Sequence, residues 1–155
     1  MPRTRVSGTL TLLDGDEVKT VDVTITAAQM LALFATPRTL VQAPGAGYAL
    51  LFVGAIAFLD YVSVAYGGIA AGEDLAVKYT DASGLEVGQL EATGFLDQTA
   101  DQLRYIRAHH AASGPNGITP VPNAALVLHM LVGEVITGDS PLKLRVYYRR
   151  IPATL

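Results

Sequence analysis

The side chains of this sequence that could bind a metal or move a proton near neutral pH are few. Three histidines occur, His109, His110 and His129. His109 and His110 end a stretch of helical spacing, and adjacent residues on a helix point about 100° apart, so they form no preorganised chelate. As cations at a helix C-terminus they have a simpler role. His129 lies among Leu126, Val127, Leu128, Met130 and Leu131, and reads as an outward-facing strand residue or a hydrogen-bonded core histidine. Asp14, Asp16 and Glu17 resemble a calcium loop only at first sight. Such a loop spreads oxygen ligands over about twelve positions and closes on a bidentate Glu. Here Val18 and Lys19 follow at once, which suits a solvated hairpin tip. Asp97 and Asp101 stand at i and i+4, but no third group accompanies them, so they read as first-turn partners of a helix dipole rather than an acid–base pair.

Nucleophile and phosphate motifs are missing as well. The chain has no cysteine, which removes disulfides, thiolate metal sites and Cys nucleophiles. It has no G-x-S-x-G elbow, no P-loop and no H-E-x-x-H. Gly45-Ala46-Gly47 is too short for a dinucleotide fingerprint and joins strand to strand. No catalytic residue, cofactor or metal is therefore expected, and the chain reads as a non-enzyme.

Charge points the same way. Eleven Lys and Arg against fourteen Asp and Glu give a net charge of −3, and nucleic-acid binding, which needs clustered cations, is not expected. Two local basic groups stand out, Arg3 with Arg5, and Lys143, Arg145, Arg149 and Arg150. In the second, Lys143, Arg145, Tyr147 and Arg149 alternate with Leu142, Leu144, Val146 and Tyr148, so a strand would set a cationic stripe opposite an apolar one. That stripe is the candidate interface with a partner or a second subunit.

The elements that must position these groups are mostly strands. Half of the 155 residues are hydrophobic and 15 glycines and 8 prolines punctuate them, a mixture that suits short strands joined by turns. Alternation predicts strands at 6–13 and 18–25, joined by the Asp14-Gly15-Asp16-Glu17 turn. Thr26-Ala27-Ala28-Gln29 is a capping-box pattern opening a short helix that Pro37 must stop. A strand begins at Leu40 and breaks at Pro44-Gly45-Ala46-Gly47, where Pro44 and Gly45 fit the two central positions of a type II turn. Residues 48–64 give one bent strand or two, with Gly54 a candidate bulge. Further strands fall at 75–80, 85–92, 125–132 and 142–151. Leu96, Ala100, Leu103 and Ile106 suggest a helix over 97–110. The whole is expected to be one mainly β domain over residues 1–155, an antiparallel, jelly-roll-like β-sandwich with one or two short helices.

The apolar stretch 49–71 is not expected to cross a membrane. Its uninterrupted run stops at Leu59, and Asp60 at mid-bilayer would cost about 2.5–3.5 kcal/mol. The first residues carry no apolar segment of the signal-peptide kind. The stretch exceeds what one sandwich face needs, and small residues such as Gly54, Ala55, Ala57 and Ala65 would allow a second chain to approach closely.

Several segments, in order, resemble small virion proteins of tailed bacteriophages of the head-decoration or minor structural type. They are Ile25-Thr26-Ala27-Ala28-Gln29, the run from Leu40 to Gly47, Gly94-Phe95-Leu96 with Thr99-Ala100-Asp101, Asn123 to Leu128, and Gly138 to Arg149. The resemblance implies a jelly-roll-like sandwich that assembles on the virion as a homotrimer. Its partners would be itself and the major capsid protein or another virion protein, on the outer capsid surface after synthesis in the host cytoplasm. The segment 103–113, with His109 and His110, departs from the pattern and reads as a local insertion. The implied role is a capsid decoration or cement protein. The alternative is a lectin-like module recognising a host glycan from the tail or a fibre, with Tyr61, Tyr66, Tyr147 and Tyr148 as its candidate aromatics.

Overall fold

The computed structural model describes residues 17–109 and 117–154. The strand expected at 6–13, most of the turn that follows it, and His110 lie outside them. The described elements run β1 (Lys19–Ile25), α1 (Ala27–Met30), β2 (Arg38–Val41), β3 (Tyr48–Leu59), β4 (Asp74–Tyr79), β5 (Glu86–Glu91), β6 (Gln102–Arg107), β7 (Leu126–Met130) and β8 (Leu142–Pro152). They form two four-stranded antiparallel sheets, a first of order β1-β8-β3-β6 and a second of order β2-β7-β4-β5. Early strands pair with late ones, β1 with β8, β2 with β7, β3 with β6 and β4 with β5. The chain is thus one long hairpin rolled over on itself, and the β3–β8 and β4–β7 ladders complete the sheets. This is the double-sheet jelly-roll arrangement.

Alternation supplies the core. Leu142, Leu144 and Val146 of β8 are buried while Lys143 and Arg145 are exposed. They face Leu75, Val77 and Tyr79 of β4 and Leu126 and Leu128 of β7 across one shared hydrophobic core. The Tyr79 hydroxyl donates to the Leu50 carbonyl, tying the two sheets together inside it. Burial pushes that phenol up to about 12, and at neutral pH it stays a donor.

Local signals explain the connections. The Thr26 hydroxyl accepts from the Gln29 N–H at 3.3 Å, and the Gln29 side chain accepts from the Thr26 N–H at 3.0 Å, so the capping box is complete. The helix it opens is shorter than expected, four residues, followed by turns up to Thr36, whose N–H donates to the Ala32 carbonyl at 2.9 Å. After β3 the chain forms a strap at residues 60–68, laced to residues 136–141. Asp139 accepts from the Ser63 and Val64 N–H groups, Ser140 Oγ from the Val62 N–H, and the Ser140 carbonyl from the buried Tyr66 hydroxyl at 2.5 Å. The apolar stretch 49–71 is therefore a core strand followed by a hydrogen-bonded strap. No helix among the described residues is long and apolar enough to cross a membrane.

Residues 97–109 do not form the helix that the spacing over 97–110 suggests. Residues 102–107 form β6, in six-residue register with β3, Gln102 opposite Leu59 through Arg107 opposite Gly54. The reason is tertiary. β3 pairs with β8 on one side, and its other edge would leave a row of buried amides without partners. Six ladder positions outweigh a weak helical preference. Residues 102–107 are accordingly an integral strand of the first sheet.

Two glycines test the backbone. Gly45 has φ of +96°, and a methyl added there meets nothing within 4 Å. At Gly84 an added Cβ would lie 1.5 Å from the Tyr79 carbonyl oxygen. Gly45→Ala is expected to lower stability by about 1 kcal/mol through backbone strain alone, and Gly84→Ala by clearly more. Thermal melts rank the three proteins; equal midpoints for wild type and Gly45→Ala would refute a strained turn.

Candidate functional site

The two sheets differ in what covers their outer faces. On the second sheet, Val127 and His129 are buried although they stand outside the core cluster, and the turn after α1 lies over His129. The His129 ring stacks on Phe34 with centroids 5.6 Å apart, and its Nε2 lies 3.1 Å from the Phe34 carbonyl. Glu134 holds that turn down by accepting from the Phe34 and Ala35 N–H groups at 3.0 and 2.9 Å.

The first sheet has no comparable cover among the described residues, and its outer face is apolar in the middle. The register explains why. Phe52 lies opposite Tyr148 and Gly54 opposite Tyr147, so Val53 is an extra residue in β3, a β-bulge. One extra residue flips the side-chain phase. Leu50 and Phe52 point inward before it, and Ala55, Ala57 and Leu59 after it. Ile56 and Phe58 consequently point out, half-buried. Beside them β6 contributes Leu103, opposite Phe58, and Tyr105, opposite Ile56, 62% and 56% exposed. Gly54 makes room for the aromatic, since a Cβ there would lie 2.4 Å from the Tyr105 hydroxyl.

β8 runs along the other side of this apolar strip. Lys143 lies opposite Phe58, Arg145 opposite Ile56, Tyr147 opposite Gly54 and Arg149 opposite Leu51. The structure thus sets all four interface candidates on one face beside the apolar strip. Arg150 belongs elsewhere: its guanidinium stacks 3.3 Å over the Tyr48 ring and donates to the Pro44 carbonyl. Two of the cations have internal partners. Arg145 donates through Nε and Nη2 to the two Asp22 oxygens at 2.7 and 2.8 Å, and Lys143 Nζ lies 2.7 Å from Asp60. The Arg145 hydrogen bond holds the Asp22 carboxyl below its ordinary value, and Asp22 in turn pushes the guanidinium up. Both pairs are exposed, so water and salt screen them.

Other candidates are placed apart. Tyr66 is buried, Tyr61 donates to the Ser63 carbonyl at 2.7 Å, and Tyr148 packs inward. Ala55 and Ala57 lie wholly inside the core and are unavailable to a second chain. Asp97 accepts from the Gly94 N–H and Asp101 from the Tyr61 N–H, at 2.8 and 2.9 Å, so each holds a loop rather than sharing a site. His109 Nδ1 lies 3.9 Å from Glu86. Among the described residues no group of three His, Cys, Asp or Glu could hold a metal ion. The sequence reading missed Ile56, Phe58, Leu103 and Tyr105. Only Gly54, followed by small residues alternating with large ones, signalled the outward pair.

No protein-family model matches the chain, and no curated protein does. Among solved structures it is similar to a chain of the cyanophage Pam1 capsid asymmetric unit, with TM-score 0.49 and 14% identity, covering 95% of this chain and 94% of that one. It is also similar to a chain of the Ralstonia phage GP4 capsid, with TM-score 0.43 and 17% identity over 91% of this chain and 88% of that one.

His129 links pH to this architecture. Burial lowers its pKa, and the Lys78 charge adds to the effect. The unfolded imidazole takes a proton below about pH 6.5 while the folded one resists. The stability that neutral His129 contributes is therefore full above that pH and is lost as pH falls through its lowered folded value. Thermal midpoints at pH 7.5 and 5.5 are expected to differ more in wild type than in His129→Gln. An unchanged pH dependence in the variant would place the acid sensitivity elsewhere.

Proposed function

We propose that this chain is a non-enzymatic structural protein of a tailed-phage virion, a capsid decoration or cement protein working as a single domain. The observation that carries the reading is the outer face of the first sheet. A bulge turns Ile56 and Phe58 outward beside exposed Leu103 and Tyr105, on the sheet face that no described segment covers. Large apolar side chains grouped on a sheet surface mark an interaction site, and a cationic rim on a protein of net charge −3 selects an acidic partner. The segment resemblance to small virion proteins supplies the context, the outer surface of a capsid assembled in the host cytoplasm. A jelly roll suits that setting because two four-stranded sheets closed on one core need no disulfide to survive outside a cell.

In this reading the apolar strip and the Lys143, Arg145, Tyr147 and Arg149 stripe dock on the major capsid protein or another virion protein. A homotrimer multiplies the contact, so that weak single sites give firm attachment. Light scattering at micromolar concentration is expected to give a trimer mass that salt does not change; a monomer mass would remove the main support for the multivalent reading. Attachment to depleted particles is expected to weaken as salt rises. The double variant Arg145→Glu and Arg149→Glu should lower occupancy, and Leu103→Ser should do so without changing the salt dependence. Normal occupancy in both would mean that the face is only solvated.

A further inference from the structure

The seam between the sheets holds a second feature. β5 and β6 are edge strands of different sheets, joined by a single bridge between Gly88 and Ala108 and by the His109 N–H donating to the Val87 carbonyl at 2.8 Å. Away from that stitch a cleft of about 620 Å³ opens, lined among others by Glu73, Gln89, Glu91, Thr93, Tyr105 and Arg107. Its size falls in the range of small-molecule sites. From the geometry and chemistry of this lining we propose that the cleft binds a neutral saccharide.

Each wall supplies a part of that recognition. Tyr105, more than half exposed, offers an aromatic surface against which the C–H face of a pyranose packs. Gln89 donates to Asp74 at 2.5 Å, which fixes the amide before any ligand arrives. Glu91 lies opposite Asp74 in the β4–β5 ladder, and its carboxylate accepts from hydroxyl donors. Arg107 and Thr93 donate to hydroxyl oxygens. Glu73 contributes charge rather than a contact: it is 2% exposed, one oxygen accepts from the Ala70 N–H at 2.5 Å, and the other, Oε1, is buried.

The charge balance sets the ligand class. Glu73, Asp74 and Glu91 outnumber Arg107 in the same lining, so phosphates and acidic sugars are repelled. Arg107 in turn meets the side chains of a basic peptide with a like charge. Groups that both donate and accept, at close spacing on an apolar ring, are what hydroxyls of a neutral hexose or N-acetylhexosamine provide. The site adjoins the docking face: Asp74, Gln89 and Glu91 lie on the second sheet, while Tyr105 is shared with the apolar strip.

Amide shifts of the ¹⁵N-labelled full chain, titrated with the methyl glycosides of glucose, galactose and N-acetylglucosamine, test the proposal. At least one is expected to give saturable shifts confined to residues 72–74, 89–93 and 105–109. Glu91→Gln should weaken that binding about tenfold, as loss of one charge-assisted hydrogen bond implies, and Tyr105→Ala should abolish it. Glu91→Gln should bind depleted particles normally, which separates failure here from failure of the attachment reading. Absence of saturable shifts with all three glycosides, shifts located elsewhere, equal affinity in Glu91→Gln, or binding of a lysine-rich peptide in their place would each overturn it.

Discussion

The single extra residue at Val53 sets the phase of the whole first sheet. Ahead of it β3 sends Leu50 and Phe52 to the core, and behind it Ala55, Ala57 and Leu59. Continued without the bulge, the same sequence would drive Gly54, Ile56 and Phe58 inward and leave Leu59 in solvent. The core beneath β3 is closed by larger groups from the facing sheet, among them Tyr79 and Leu128, so small residues at 55 and 57 fit and large ones would overpack it. The bulge therefore fixes both the packing inside and the apolar strip outside. Gly54 belongs to the same device, because a Cβ there would lie 2.4 Å from the Tyr105 hydroxyl and displace the ring lying over it.

Open sandwiches must also manage their edges, since unpaired strand edges recruit other chains. In this molecule the edge of β6 is partly blocked by its own Arg104, which donates to the Leu103 carbonyl and to the Gly94 carbonyl at 2.9 and 3.0 Å while lying over Phe95. The stitch between Gly88 and Ala108 closes the seam further along. With the β6 edge partly blocked and the second sheet covered at His129 by the turn after α1, the outer face of the first sheet is the larger open surface among the described residues.

Charge on that face is arranged with similar economy. Arg145 and Lys143 are held by Asp22 and Asp60, each on a neighbouring element of the same chain. Such exposed pairs add little to folding, yet they keep long side chains extended along the strip. In the proposed attachment a partner carboxylate would meet oriented cations instead of mobile ones, which would lower the entropy lost on docking.

The sequence by itself determined the class of fold, the strands with strict alternation, the capping box at Thr26 and the division of β8 into Leu142, Leu144, Val146 and Tyr148 on one side and Lys143, Arg145, Tyr147 and Arg149 on the other. These are local properties: period, turn chemistry and capping are written in neighbouring residues. Three things were decided only by tertiary structure. Residues 102–107 became a strand because the edge of β3 needed partners, which no local window reveals. In β3, where both phases are apolar, alternation carries no information, and the bulge against β8 chose which side faces out. The cover over the second sheet and the cleft at the seam join residues distant in sequence, Phe34 with His129 and Gln89 with Arg107. Periodicity reports which residues share a face; which face remains uncovered depends on where the rest of the chain goes.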